Sequence, residues 1–192
     1  LPVMVFVFPP KLAIAVLLPL YLIKDLIVAY TWRKFPVIKI LKVMFLGGLT
    51  GQILGWLCFG YLDDNYILIL IGLLALITSI RYFRNLIWKY VIADKTKIYI
   101  KSSFLRAMGW CGFSGFSSFV ALTGGIPAQI YLLPMGLERQ LFVGTMSFYF
   151  LIINLAKLPF FFDLGVFSPT SILLSLLVLP ILPIGIFLGK FL

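Results

Sequence analysis

Apolar residues in this chain run on for about 20 positions at a time with few charges inside the runs, which is the length a helix needs to cross a bilayer. A soluble domain of 192 residues must cover much of its surface with polar groups. Here 62% of residues are apolar and 11% charged, too few polar groups for that task. The same arithmetic excludes a disordered chain. The runs are near-continuous rather than alternating, so they read as helices and not as the strands of a barrel. The expected fold class is an all-α, polytopic membrane protein.

The candidate spans are 11–31, 39–61, 66–88 and 104–122, then a short Gly/Pro-interrupted piece at 124–135, then 138–162 and 169–192. Sixteen Lys and Arg face six Asp and Glu, a formal charge of +10. The basic residues cluster beside the apolar runs: Arg33, Lys34, Lys39 and Lys42 in one group, Arg81, Arg84, Lys89, Lys95, Lys97, Lys101 and Arg106 in another. This is how cytoplasmic loops look under the positive-inside rule, so the charge reads as topology and not as a nucleic-acid surface. The link Asp63-Asp64-Asn65 then faces outward. The expected location is the cell inner (plasma) membrane, crossed several times, with lipid as the surrounding partner.

The composition argues against catalysis. There is no histidine, and Cys58 and Cys111 stand far apart in apolar surroundings. No metal-ligand spacing, P-loop, GxSxG or HExxH pattern occurs. The sequence implies no metal, no cofactor and no enzyme.

The chain repeats itself at an offset of about 125–130 residues, as two-halved transporters do. Pro2 and Pro9 match Pro127 and Pro134, Asp25 matches Asn154, and Trp32 matches Phe161. The loop after 11–31 is basic, whereas its counterpart Phe162-Asp163-Leu164-Gly165 carries one acid and no base. Opposite charges place the two loops on opposite sides, which favours an inverted repeat. That relation requires 104–135 to make an even number of crossings or a re-entrant excursion. The expected organisation is a first repeat plus linking helix at 1–88, a basic cytoplasmic linker at 89–103, and a second repeat at 104–192. The first repeat lacks a counterpart of 104–122 and the second lacks one of 66–88. An intact protein about 40–60 residues longer is therefore expected, at roughly 20 or more for each spanning helix.

The stretch GFSGFSSFVALTGGIPAQIYLLP (112–134), then FVGT (142–145), Asn154 with Lys157, and LPILPIGIFLG (179–189) resembles the sulfite exporter TauE/SafE family. PPKLAIAVLLP (9–19) followed by Lys24-Asp25 is similar to that family's first repeat. The resemblance runs along essentially the whole chain and is most specific at 112–145. It implies a multi-spanning permease of two repeats that exports sulfite, sulfonates or related anions.

Several polar groups inside apolar runs are candidates for the substrate path. Gly124-Gly125 with Pro127 breaks a helix, freeing N–H groups that can cradle an anion, or it makes a tight packing corner. Thr123 and Gln129 flank the break, with Ser117 and Ser118 up to two turns before it. Lys24 and Asp25 lie deep in 11–31, where charges mark a functional interior unless Lys24 snorkels to the interface. Lys24 could attract an anion and Asp25 could take up a proton; adjacent on a helix, they need not pair. Asn154 and Lys157 share a face, suited to an oxyanion unless Lys157 snorkels toward Asp163. Gln52 is a minor candidate. Gly47, Gly51 and Gly55, with Gly185 and Gly189, read as helix-packing faces between repeats or in a homodimer. Pro180 and Pro183 are expected to kink the last span, and the tryptophans to anchor segment ends.

The sequence reading is a secondary-active transporter of small anions, working by alternating access between two repeats. The alternative is a non-transporting membrane scaffold or accessory subunit whose polar residues only lock helices together.

Overall fold

The computed structural model describes residues 3–91, 102–180 and 182–183, and every regular element there is helical. After a 3-10 turn at Met4–Phe6 come α1 (Pro10–Thr31), α2 (Ile38–Phe59), α3 (Asp64–Val91) and α4 (Phe104–Ala121). The short α5 (Gly125–Leu132), a second 3-10 turn (Leu133–Met135), α6 (Arg139–Asp163) and α7 (Pro169–Val178) follow. Helices α1, α2 and α6 are long and apolar enough to cross a membrane.

Local signals set the boundaries. Pro10 opens α1 at a position where a missing N–H costs nothing. Pro36 keeps the chain extended before α2. A capping box opens α7: the Ser168 hydroxyl accepts from the Ser171 N–H at 3.1 Å, and the Ser171 hydroxyl accepts from the Ser168 N–H at 2.9 Å. Of the expected span 169–192, Pro169–Val178 forms α7. Val178 is the last residue of α7, Leu179-Pro180 forms a turn, and Leu182-Pro183 are again helical. Gly185 and Gly189 lie outside the described residues, as does most of the 89–103 linker.

Contacts fix the helix directions. One end of the bundle carries the basic loop Arg33–Lys34 between α1 and α2, and the other carries Asp63, Asp64 and Asp163. The N–H of Val37 donates to the Thr145 hydroxyl at 3.0 Å, so α6 starts at the basic end. The indole of Trp56 donates to Asp163 at 3.0 Å, so α2 and α6 finish together at the acidic end. α1 therefore runs antiparallel to both. α4 starts at the basic end beside α2, but the chain does not cross over after it. The α4–α5 turn lies against the middle of α4, where the Ser114 hydroxyl donates to the Gly124 carbonyl at 2.6 Å. α5 then returns to the basic end, where Arg106 donates to the Tyr131 carbonyl at 3.0 Å. Together α4 and α5 make a re-entrant hairpin.

The outer surface is apolar: Leu26, Leu54, Leu57, Ile69 and Leu76 are all exposed. Polar groups such as Asp25, Gln52, Asn154 and Lys157 are buried. That reversal suits a hydrocarbon solvent. The tightest helix pair is α2 with α4, built on small residues. A Cβ on Gly47 would stand 2.5 Å from the Ala107 carbonyl oxygen. One on Gly51 would collide with the Gly112 carbonyl, and one on Gly115 with the Gly48 carbonyl. The glycine face of α2 is thus filled by α4 of the same chain, which leaves it unavailable to a second copy. Trp56 lies in the last turn of α2 as an anchor should, whereas Trp110 sits in the middle of α4 and is partly exposed.

The seam gives a direct prediction. Gly51→Ala forces α2 and α4 apart and should lower stability by about 1–3 kcal/mol, the usual cost of overpacking. Gly72→Ala, at a helical glycine with open space around it, should be neutral or stabilising by up to about 1 kcal/mol. Thermal unfolding of the two variants in detergent checks the contrast.

Candidate functional site

Five side chains from three helices form one hydrogen-bonded chain near the centre of the bundle. Lys157 of α6 has no exposed surface, and its ammonium donates to the Ser118 hydroxyl of α4 at 2.8 Å. It also donates to Asn154 Oδ1, one turn back on its own helix, at 2.8 Å. The Asn154 amide N–H donates in turn to Asp25 Oδ2 of α1 at 2.6 Å. The other oxygen, Asp25 Oδ1, is 2.9 Å from the Lys24 ammonium. The side chain of Asp25 is 3% exposed and that of Lys24 is 45% exposed, so the chain runs from a sealed interior to the surface.

The sequence alignment of the two halves put Asp25 and Asn154 at corresponding places, and they meet through a direct hydrogen bond. Two points that the sequence left open are decided by the packing. Lys24 and Asp25 do pair: the Lys24 ammonium lies over the Tyr21 ring, 4.9 Å from its centroid, and reaches the neighbouring carboxylate at the same time. Lys157 does not snorkel toward Asp163, whose carboxylate accepts from Trp56 instead; it turns inward.

The helix break lies beside this chain. α4 ends in a left-handed Leu122 at φ 51°, whose N–H reaches back to the Ser118 carbonyl at 3.1 Å. Thr123 donates to the Ser117 carbonyl at 3.4 Å, an engaged but long contact. Gly124 is the residue that lets the hairpin close, since a Cβ there would stand 2.5 Å from the Ser114 carbonyl oxygen and 2.6 Å from the Ser118 Cβ. Gly125, the first residue of α5, has open space where a Cβ would be. Gln129 points away: it is exposed and joins neither the break nor the chain of hydrogen bonds.

Two further groups belong here. Ser114, which holds the Gly124 carbonyl, was not singled out by the sequence, although its spacing of four from Ser118 marks one face of α4. Gln52 of α2 is fully buried and donates to the Ile153 carbonyl at 2.7 Å, next to Asn154. Its own carbonyl oxygen has no hydrogen-bond partner among the described residues. With both lysines protonated and Asp25 ionised, the cluster would carry one net positive charge. Among the described residues no set of His, Cys, Asp and Glu could hold a metal ion. Ammonium and amide donors of this kind suit an anion; among the described residues the cluster pairs no nucleophile with a base.

A family model described as Sulfite exporter TauE/SafE matches residues 1–192. No curated protein and no solved structure matches the chain.

The cluster should behave as a unit. Asp25→Ala strands a buried ammonium and an amide donor, and should destabilise the protein by about 3–5 kcal/mol. Adding Lys157→Met removes the stranded charge and should recover part of that loss. Unfolding of the single and double variants measures this coupling, and strictly additive losses would show that the two charges do not sense each other.

Proposed function

The chain belongs to the sulfite exporter TauE/SafE family, whose members are membrane transporters and not enzymes, and from that premise we propose that it exports sulfite, organosulfonates or related small oxyanions by secondary-active transport. The observation that carries the proposal is the buried Lys157 ammonium with its Asn154 and Ser118 partners, beside a broken helix. Charge inside a membrane bundle is costly and is kept where it acts on a substrate. The oxyanion would accept hydrogen bonds from Lys157 and the Asn154 amide, and from backbone N–H groups that begin α5 at Gly125. Thr123 and Gly124 shape that break, and Lys24 draws the anion in from the surface. Asp25 takes up a proton, so that the carboxylate releases Asn154 when the anion arrives.

We further propose that the two halves, 1–88 and 104–192 around the 89–103 linker, are inverted repeats crossing the plasma membrane several times. Helix direction supports this. α1 and α6, which carry the matched Asp25 and Asn154, run antiparallel, and the re-entrant α4–α5 hairpin supplies the change of side that such a relation requires. Alternating access then rocks one half against the other around the cluster.

Reconstitution of the full-length protein in liposomes tests the function, with sulfite, sulfoacetate, sulfate and chloride offered in turn. Flux of sulfite or sulfoacetate is expected. A folded protein that moves none of them overturns the proposal in favour of a scaffold whose polar residues only join helices. Lys157→Ala should weaken anion binding by about 1.5–3 kcal/mol, roughly 10- to 150-fold, with little recovery in Lys157→Gln. Gly125→Ala separates binding from folding. Its Cβ meets nothing in the protein, so the melting temperature should hold while anion affinity falls.

A further inference from the structure

Three phenylalanines close the bundle on the acidic-end side of the Lys157 cluster. Phe59 of α2, Phe119 of α4 and Phe161 of α6 are all buried. Their ring centroids are 5.8 Å apart for Phe59 and Phe119, 5.9 Å for Phe59 and Phe161, and 4.9 Å for Phe119 and Phe161. Each is tied to the cluster by sequence. Phe119 follows Ser118, and Phe161 stands one helical turn beyond Lys157 on the same face. The triad is therefore the first layer met on leaving the cluster toward the acidic end.

On the far side of that layer is another cation. The Lys11 ammonium lies 5.7 Å from the centroid of the Phe59 ring. Lys11, Ile14, Leu18 and Asp25 recur along α1 at spacings of three, four and seven, so one stripe of this helix joins Lys11 to the cluster. Ile14 and Leu18, between them, pack into the same apolar layer as the three rings. Lys11 stands at the end of the bundle whose loops are acidic, against the charge pattern of the chain. Among the described residues no carboxylate lies within ion-pair distance of it; the ion pair found there joins Lys24 and Asp25.

We propose that Lys11 is a second binding residue for the transported oxyanion, placed at the acidic-end mouth and separated from the Lys157 site by a Phe59–Phe119–Phe161 barrier through which the anion passes. This rests on the transport reading and adds to it a second anion site and the residues that hold the path shut. Lys24, partly exposed on the other side of the cluster, serves the opposite approach. Three lysines then mark the path: Lys24, Lys157 and, beyond the rings, Lys11. The rings supply no hydrogen bond to an anion, so they block it until the helices carrying them separate. The ammonium over the Phe59 ring is held by the ring quadrupole, an attraction that an arriving oxyanion can replace with a direct charge-assisted hydrogen bond.

The test uses full-length protein inserted in liposomes in one known orientation, with the sulfite concentration varied on one face at a time. Lys11→Gln should raise the half-saturating sulfite concentration on the acidic-end face roughly tenfold, the loss of one charge-assisted contact, and leave the other face unchanged. Lys11→Arg should restore it. Phe119→Ala should open a passive leak of sulfite and chloride absent from the wild type. Should that variant not fold, Phe161→Leu, which keeps an apolar side chain and removes one ring, should give the same leak. A wild type that moves no anion overturns the transport reading and this inference with it. A wild type that moves sulfite, while Lys11→Gln shifts neither face or both alike, overturns the Lys11 assignment alone. Folded ring variants without a leak overturn the barrier.

Discussion

The ammonium of Lys157 has no contact with solvent, and a lone cation in a hydrocarbon interior is one of the most costly groups a fold can contain. Its presence dictates where three helices stand. Asn154 must lie one turn back on α6 to accept from it, and α4 must bring Ser118 to within 2.8 Å. The opposite charge comes from α1 at one remove, since Asp25 reaches the lysine through the Asn154 amide and not directly. An amide is well suited to that position because it accepts on one side and donates on the other. A carboxylate at 154 would face Asp25 with a like charge, and an apolar residue would satisfy neither neighbour. The α1–α6 pair is therefore oriented by polar bonding, in a solvent where apolar contact alone gives little preference for one helix face over another.

Ser118 can reach Lys157 only because α4 sits unusually close to α2. Between lipid-immersed helices there is no gain from hiding apolar surface, so close packing of small residues has to supply the attraction. Gly47, Gly51 and Gly115 provide it, each with a backbone carbonyl of the partner helix where its side chain would be. The same device recurs at the hairpin. Gly124 tucks against Ser114 and Ser118, which turns the chain back toward the basic end as α5. Absent side chains thus set the position of the present ones: the glycine seam places α4, the missing Cβ at 124 places the start of α5, and the two together frame the cluster. Leu122 adopts the left-handed conformation that L-residues rarely take, so the turn also carries some backbone strain.

Length and hydropathy made the helices legible. The spans expected at 11–31 and 39–61 appear at Pro10–Thr31 and Ile38–Phe59, because a bilayer-length apolar run is a strong and local signal. The polar residues of the cluster were legible for the converse reason: Lys24, Asp25, Asn154 and Lys157 interrupt such runs, and lipid tolerates few interruptions. What could not be read was rotation. These helices are apolar nearly all round, so the sequence does not reveal which side of α5 faces inward. Gln129 was drawn toward the break by its position in sequence, yet it faces outward. Lys157 had two chemically reasonable directions, and only the packing of α4 selects the inward one. Ser114 and the meeting of the three phenylalanines escaped notice because serine and phenylalanine are ordinary residues of membrane helices, and such clusters depend on contacts between distant segments.

Charge arithmetic restricts what the cluster can accept on the transport reading. Lys24, Lys157 and ionised Asp25 sum to one positive charge, which a monoanion neutralises. A dianion overshoots by one unless Asp25 takes up a proton, which also frees Asn154 to donate to the ligand. Sulfite passes between monoanion and dianion near neutral pH, so it can enter with its own proton or with one on Asp25, and the total charge of the occupied site is the same. Sulfate remains a dianion there and can be balanced only through Asp25. Chloride needs no proton but accepts hydrogen bonds without the fixed geometry that a donor set of ammonium, amide and backbone N–H rewards in an oxyanion. On that reading the selectivity of the site would turn on Asp25, whose hydrogen bond to Asn154 ties its charge to the residue that would grip the substrate.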